Sequence, residues 1–300
     1  MSKLRVGYIG VGLMGHGAAK NIFANGHPLT ILGHRNREPV DDLVGRGARE
    51  ARTPVEVASE SDVVFTCLPS SVEVEATLFG GGLVEAMRPG MIYVDSTTAD
   101  PGSTRRIGAE LRARGVGMVD GPLGRTPKEA EAGKLSTFLG GDPEVIARAK
   151  PIIACYADTI IETGPLGNGH TMKLINNFIS IGTSAVIAEA IATASKLGLD
   201  LAKVHEVVSS GGANSAMFQM MMPWALEGDA SRLKGPLRIA GKDLRFYCRM
   251  AETVGMASFV AQAASQTYQL AIAQGHAETF MPVLPGILAE LNGGKIRDLP

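Results

Sequence analysis

A lysine and an asparagine, Lys173 and Asn177, stand four residues apart near the start of an apolar stretch. Residues at this spacing are neighbours on one face of an α-helix. The helix is predicted to run from about residue 168 to 197. It is otherwise rich in Ala, Ile, Leu and Val, which indicates packing on most sides. Two polar side chains in such a helix either pair with water and backbone groups or act on a ligand.

The length, net charge and cysteine content of the chain limit the classes of protein to which it can belong. The chain has 300 residues, enough for two domains. Its net charge of -1, from 29 basic and 30 acidic side chains, argues against general affinity for nucleic acid or anionic membranes. Three widely spaced cysteines, Cys67, Cys155 and Cys248, form neither a disulfide framework nor a metal-ligand pattern. The N-terminal residues also lack a signal-peptide-like apolar segment, so we expect a cytoplasmic protein without a bound metal.

The first half of the chain alternates short apolar runs with helical segments, which predicts an α/β domain. A buried strand at residues 4–9 leads into a glycine motif that reads Gly10-Val11-Gly12-Leu13-Met14-Gly15. In this context the first glycine permits a tight turn, the second admits a pyrophosphate and the third lets helix and strand pack closely. The following helix, residues 13–24, would bind the phosphates through its free N–H groups. The motif predicts dinucleotide binding, and the alternative is a purely structural glycine-rich turn.

The end of the second predicted strand, residues 29–32, bears on the choice of cofactor. An NAD site usually has Asp or Glu at this position. Here the chain reads Gly33-His34-Arg35-Asn36-Arg37, and the first carboxylate is Glu38. The two arginines could pair with a 2′-phosphate, which favours NADP(H) over NAD(H). Alternatively, they are solvated loop charges.

Polar residues follow three further predicted strands, at residues 62–68, 91–94 and 116–119. Ligands of open parallel sheets bind at the carboxyl ends of the strands. We therefore expect Leu68, Pro69 and Thr97 to face a cofactor or substrate, although Thr97 could also cap a helix. After the third strand, Arg125 lies in a loop bounded by Gly and Pro, and could bind an anionic substrate group. Its alternative role is a salt bridge to a nearby acid.

Two more strands are predicted at residues 137–139 and 159–162, and after about residue 197 only helical patterns remain. Methionines in the segment AMFQMMMPWAL indicate core or interface packing, and Pro223 is expected to break that helix. Lys242 and Asp243 stand near a helix start. One interpretation of these two residues is a surface ion pair, which would contribute little to stability. Because these helices have no sheet to cover, we expect at least a homodimer, and a homotetramer also fits.

Four motifs, in this order, resemble the β-hydroxyacid dehydrogenase family, which includes 3-hydroxyisobutyrate dehydrogenases and tartronate semialdehyde (2-hydroxy-3-oxopropionate) reductases. They lie at residues 10–15, 120–141, 164–177 and 242–244. The resemblance covers essentially the whole chain. It implies a Rossmann-type NADP-binding domain at residues 1–163 and an all-α substrate and dimerisation domain at residues 164–300, joined by the long helix.

The resemblance also implies roles for individual residues. Lys173 occupies the place of the catalytic lysine, and Asn177 that of its asparagine partner. Lys242 and Asp243 match a Lys-Asp pair near the cofactor and substrate. Together with Thr97, the substrate-binding residues would be Leu123, Gly124, Arg125 and Lys242. The implied reaction is the NADPH-dependent interconversion of a small acid-bearing semialdehyde and its β-hydroxy acid, with Lys173 as general acid and base.

Two departures from the family pattern concern the ligands. Many members carry Ser-Gly-Gly where this chain has Gly124-Arg125-Thr126. The Gly-Arg-Thr version resembles the sulfolactaldehyde reductase branch. It implies a substrate whose acid group, a sulfonate or phosphonate as well as a carboxylate, is bound by Arg125. His34-Arg35 replaces the Asn-Arg common in NADP-using members and retains the arginine. Rival interpretations are an imine reductase, a 6-phosphogluconate dehydrogenase and a non-catalytic NADPH-binding regulator. Lys173 argues against the first, the short helical part after residue 164 argues against the second, and the complete pair of Lys173 and Asn177 argues against the third.

Overall fold

The computed structural model describes residues 3–33 and 35–300. The chain forms two compact units that divide after Lys173, inside the long helix. His34, one of the predicted cofactor-binding residues, lies outside the described residues. Each unit has its own hydrophobic core.

The first unit is an α/β sheet domain. Within its described residues, the strands are β1 Val6–Ile9, β2 Leu29–Leu32, β3 Arg49–Ala51, β4 Val63–Thr66, β5 Ile92–Asp95, β6 Gly117–Asp120, β7 Leu123–Gly124, β8 Leu135–Gly141 and β9 Ala157–Gly164. The helices are α1 Gly15–Ala24, α2 Glu38–Gly45, α3 Pro54–Ser59, α4 Ser71–Glu75, α5 Leu83–Ala86, α6 Pro101–Ala113, α7 Pro127–Glu131 and α8 Pro143–Ile153, with a π-helical turn at Ala76–Gly80.

The sheet has the doubly wound order of a dinucleotide-binding fold. Strands β3, β2, β1, β4, β5 and β6 lie side by side in that order, and all their pairings are parallel. Strand β8 then pairs antiparallel with β6 and β7 and parallel with β9. The predicted fold class is confirmed. Strand β3, which the sequence analysis does not predict, is three residues long, polar and at the sheet edge, so it carries little apolar signal.

Alternate residues of the central strands fill two separate cores. Tyr8 and Phe65 pack on one face of the sheet with α1 and α8, whereas Ile9 and Val64 pack on the other. This alternation is the period-two pattern of a β-strand covered on both faces. It explains why the strands read as continuous apolar runs.

The long helix α9, Asn168–Lys196, begins in the first unit and continues into the second, close to its predicted bounds. By length and composition alone α9 could cross a membrane, a test that core helices of soluble proteins also pass; 44% of its most apolar window is buried. The remaining helices of the second unit are α10 Leu201–Ser210, α11 Ala216–Glu227, α12 Leu237–Thr253, α13 Phe259–Ala271 and α14 Leu284–Leu291, with turns at Ile272–His276 and Met281–Val283.

The prediction that Pro223 breaks its helix is wrong for helix α11. Pro223 lies inside the helix and does not break it, because the helix continues to Glu227 and ends at Gly228, where φ is 84°. Trp224, which follows the proline, is buried in the core of the second unit. Its packing holds the last turn in helical conformation despite the missing N–H. Met221 and Met222 are part of the same core, as their pattern predicts.

Candidate active site

The glycine motif after β1 has the geometry that a bound pyrophosphate requires. Gly10 has a φ of 99°, and a Cβ there would lie 2.2 Å from the Cys67 carbonyl oxygen. A Cβ on Gly15 would lie 2.0 Å from the Gly10 carbonyl oxygen, whereas a Cβ on Gly12 would meet nothing within 4 Å. The outer two glycines therefore permit close packing, and the middle one faces open space. No side chain caps the N-terminus of α1, so this motif fits a dinucleotide phosphate group.

The two arginines after β2 differ in their surroundings. Arg37 donates to both carboxylate oxygens of Glu50, at 2.6 and 2.9 Å, and to Asp41 at 2.8 Å. These hydrogen bonds raise the pKa of Arg37 and lower that of Glu50. Arg35 is exposed, and no carboxylate among the described residues pairs with it. Arg35 is thus the better placed of the two to receive a phosphate. Glu50, on β3, is an acid near this site that the local sequence pattern does not reveal.

The ends of β4 and β5 are joined by a buried hydrogen-bond network. The hydroxyl of Thr66 donates to Asp95 Oδ1 at 3.0 Å and contacts the Tyr93 hydroxyl at 2.6 Å. Asp95 Oδ1 also accepts from the backbone N–H of Thr97, and the Thr97 hydroxyl accepts from the N–H of Leu68 at 3.1 Å. Burial raises the pKa of Tyr93, so its hydroxyl stays protonated. The network fixes the loop residues that the sequence predicts to face the cofactor.

Thr97 therefore does not cap a helix through its hydroxyl. The hydroxyl holds the Leu68 amide, and the next residue of that loop, Pro69, is exposed. Asp100 caps α6 instead, by accepting from the N–H of Gly102.

The loop after β7 has an unusual backbone at Arg125. Its φ is 73°, and among the described residues no other non-glycine has a positive φ. The side chain turns towards β9, where Nη1 donates to Asp158 Oδ1 at 2.7 Å and Nη2 donates to the Thr159 hydroxyl at 2.8 Å. The preceding residues Leu123 and Gly124 are buried. The structure thus contains the salt bridge that the sequence leaves open as the alternative role of Arg125.

Lys173 is half-buried near the start of α9, and Asn177 follows it one turn later. In the second unit, the Asn177 side-chain amide donates to Asp243 Oδ2 at 2.7 Å. The other carboxylate oxygen of Asp243 lies 3.1 Å from the Lys242 ammonium, and both of these residues are buried. The Lys242–Asp243 pair is therefore not a solvated surface ion pair. Instead, it fixes the orientation of the Asn177 amide.

The described part of the chain contains no group of three His, Cys, Asp or Glu residues that could hold a metal ion. The first unit contains a glycine motif open to a phosphate, the Asp95 network and Lys173, and the second unit contains Asn177, whose amide donates to Asp243. The chemical types of these groups suit hydride transfer with a nicotinamide cofactor and proton transfer by a lysine.

Comparisons with known proteins show the family to which the chain belongs. Residues 5–164 match the family model described as the NAD-binding domain of 6-phosphogluconate dehydrogenase, and residues 167–282 match that of NADP-dependent 3-hydroxyisobutyrate dehydrogenase. The 3-sulfolactaldehyde reductase of Escherichia coli is 32% identical over 90% of this chain and 91% of its own length.

Two solved structures are also similar to the chain. The 3-hydroxyisobutyrate dehydrogenase of Salmonella typhimurium has a TM-score of 0.85 and 26% identity, over 95% of this chain and 100% of that one. A structure described as Psf3 in complex with NADP+ and 2-OPP has a TM-score of 0.82 and 26% identity, over 94% and 99% of the two chains. The chain therefore belongs to the β-hydroxyacid dehydrogenase family and is an NAD(P)-dependent oxidoreductase that acts on CH–OH groups.

Proposed function

We propose that the protein reduces a small aldehyde bearing an acid group to its β-hydroxy acid, as a 2-hydroxy-3-oxopropionate reductase does, and catalyses the reverse reaction as well. The donor is NADPH and the general acid is Lys173. The observation that carries the proposal is the polar pair on α9: Lys173 stands one turn before Asn177, whose amide donates to the buried Asp243. A polar pair of this kind in an apolar helix is better explained by chemistry than by packing.

Different residues are assigned to proton transfer and to substrate positioning. When bound, the nicotinamide supplies a hydride to the carbonyl carbon. Lys173 donates a proton to the carbonyl oxygen as negative charge develops there, and accepts one from the alcohol in the reverse direction. Proton transfer by a positioned side chain typically contributes about 10²- to 10⁴-fold to the rate. Asn177, oriented by Asp243, holds the lysine or a substrate hydroxyl in place. The remaining substrate contacts are assigned to Thr97, Leu123, Gly124 and Lys242.

Cofactor binding is assigned to the glycine motif and to the loops after β2 and β4. Within the motif, the residues that would hold the pyrophosphate are Gly10, Gly12, Leu13, Met14 and Gly15. Arg35 supports a preference for NADP(H), because its exposed guanidinium has no carboxylate partner among the described residues. The other residues proposed to contact the cofactor are His34, Arg37, Leu68, Pro69, Thr97, Lys242 and Asp243.

The experiment that tests this function is a screen of NADPH oxidation with semialdehydes that carry a carboxylate, a sulfonate or a phosphonate. We expect turnover with at least one of these compounds, and a higher kcat/KM with NADPH than with NADH. A protein that binds NADPH tightly yet reduces none of them would contradict the proposal. That result would favour a different function, that of a non-catalytic NADPH-binding regulator.

An alternative within the proposed reductase function concerns the acid group of the substrate, which could be a sulfonate or phosphonate. The similarity to a 3-sulfolactaldehyde reductase, together with the Gly-Arg-Thr sequence at residues 124–126, favours a sulfonate or phosphonate semialdehyde bound by Arg125. For this role the guanidinium has to exchange Asp158 for the substrate anion. Activity limited to sulfonate or phosphonate substrates in the screen would establish this alternative.

We also propose a cytoplasmic homodimer or homotetramer that binds neither nucleic acid nor membranes. Exposed apolar side chains of the second unit support assembly, among them Phe259, which is 82% exposed, and Val254, which is 77% exposed. Light scattering after size-exclusion chromatography measures the assembly directly. A monomer at micromolar concentration would contradict it.

A further inference from the structure

We propose that Asp120, Thr104 and His170 form a buried network that positions Lys173 by fixing the start of α9. All three residues are at most 1% exposed, and none of them belongs to the catalytic assignment above. The inference rests on the proposed role of Lys173, and it adds residues that act through that lysine without touching the substrate.

Asp120, at the end of β6, anchors the first turn of α9. Its Oδ1 accepts the backbone N–H of Gly167 at 2.7 Å, and its Oδ2 accepts that of His170 at 2.7 Å. The first N–H groups of a helix have no intrahelical partner, and a carboxylate there is further stabilised by the helix dipole. A buried acid from a distant part of the sequence therefore takes the role that a local capping residue usually has.

Two glycines allow Asp120 to approach the helix so closely. A Cβ on Gly140 would lie 2.5 Å from Asp120 Oδ1 and 2.9 Å from the Gly169 nitrogen. A Cβ on Gly169 would lie 2.2 Å from the Phe138 carbonyl oxygen. Because β6, β8 and α9 meet here without side chains between them, the start of the helix has little freedom to shift.

His170 is held by a second contact, to Thr104 on α6. Its Nδ1 lies 2.7 Å from the Thr104 hydroxyl, which also lies 3.1 Å from the Asp100 carbonyl oxygen. A hydroxyl has one proton, and a carbonyl can only accept, so Thr104 donates to Asp100 and accepts from His170. This pairing assigns the proton to Nδ1. The network thereby joins α6 to α9 as well as β6 to α9.

His170 and Lys173 are three residues apart on α9 and are therefore neighbours on the helix surface. Fixing His170 consequently fixes the direction in which the lysine leaves the helix. A displacement of about 1 Å at a reacting group can cost about 10²-fold in rate. We therefore assign Asp120, Thr104 and His170 as positioning residues for the proton donor.

The test compares Asp120→Asn and Thr104→Val with the wild type, in steady-state kinetics and in NADPH binding. We expect Asp120→Asn to lower kcat by roughly 10- to 100-fold, with little change in KM for the aldehyde or in Kd for NADPH. Thr104→Val should lower kcat less, and Thr104→Ser, which restores the hydroxyl, should recover it. His170→Asn, whose amide can replace the Nδ1 donor, should retain more kcat than His170→Ala.

Thr137→Val is the matched control for Thr104→Val. Thr137 is a buried threonine of the same unit, and its hydroxyl has no hydrogen-bond partner among the described residues, so kcat should stay unchanged. If Asp120→Asn does not fold, the two Thr104 variants carry the test. Unchanged kcat in Asp120→Asn and Thr104→Val, or an equal loss of kcat and NADPH affinity, would overturn the inference. Normal turnover of Lys173→Ala would instead overturn the proposed function.

Discussion

The guanidinium of Arg125 binds Asp158, with 2.7 Å between Nη1 and Oδ1. Arg125 also has a left-handed backbone, which costs a non-glycine residue roughly 1–2 kcal/mol. The family resemblance places a glycine at this position in many members. The conformation of the loop therefore suits glycine, and contacts to Asp158 and Thr159 occupy the arginine side chain.

This relationship gives a test of how the substrate anion is recognised. If Arg125 binds the anion, Arg125→Ser should lose sulfonate or phosphonate substrates selectively, and Asp158→Asn should keep them because it leaves the guanidinium available. If the arginine is structural, both variants should keep the substrate preference of the wild type. Values of kcat/KM for matched carboxylate and sulfonate semialdehydes distinguish the two outcomes.

Replacing Lys173 with Ala should lower kcat by about 10²- to 10⁴-fold, because the proton donor is removed. The NADPH dissociation constant should change little, since the phosphate-binding motif is intact. Lys203→Ala is the control, because Lys203 is an exposed lysine of α10 paired with Glu206. Stopped-flow NADPH oxidation and fluorescence titration provide the two measurements. Undiminished turnover of Lys173→Ala would remove the lysine from the mechanism.

Cofactor preference should depend on Arg35 more than on Arg37. Losing one charge-assisted hydrogen bond of about 1.5–3 kcal/mol should weaken NADPH binding of Arg35→Ser by roughly tenfold or more, with NADH binding unaffected. Arg37 is already bound to Glu50 and Asp41, so Arg37→Ser should change the NADPH-to-NADH affinity ratio much less. Titration of each variant with both cofactors gives the ratio. Equal effects of the two substitutions would show that Arg37 exchanges its carboxylate partners for the phosphate.

An ion pair at the edge of the first unit should make stability depend on acid pH. Arg5 hydrogen-bonds to Asp62 and holds the pKa of that carboxyl below its ordinary value of 3.8. A depressed folded-state pKa stabilises the protein above the unfolded-state pKa, and the contribution is lost as pH falls through the folded-state value.

Asp62→Asn should therefore destabilise the protein near neutral pH by about 0.2–1 kcal/mol, a range that allows for solvent screening of this partly exposed pair. The difference from the wild type should shrink towards zero as the pH falls through the folded-state pKa of Asp62, because below it both proteins lack the charge. Urea unfolding at several pH values measures it. A difference that grows at acid pH would contradict the assignment.

Features that depend on local spacing could be predicted from the amino-acid sequence alone. Alternating apolar runs and helices predict the α/β unit, the glycine motif between β1 and α1 predicts dinucleotide binding, and the four-residue spacing of Lys173 and Asn177 places them on one helix face. These features follow from periodicities and short motifs, and each such signal lies within one short stretch of the sequence. The resemblance of four ordered motifs then identified the family.

Contacts between groups far apart in the sequence became known from the folded structure. Asp120 reaches the start of α9 from 47 residues away, and Asn177 contacts Asp243 from 66 residues away. Glu50 and Asp158 bind the arginines that the sequence left with two alternative roles. No local pattern encodes these pairings, because strand order and helix packing bring the partners together. The continuation of α11 through Pro223 is a further example, since the buried Trp224 outweighs the local preference of proline.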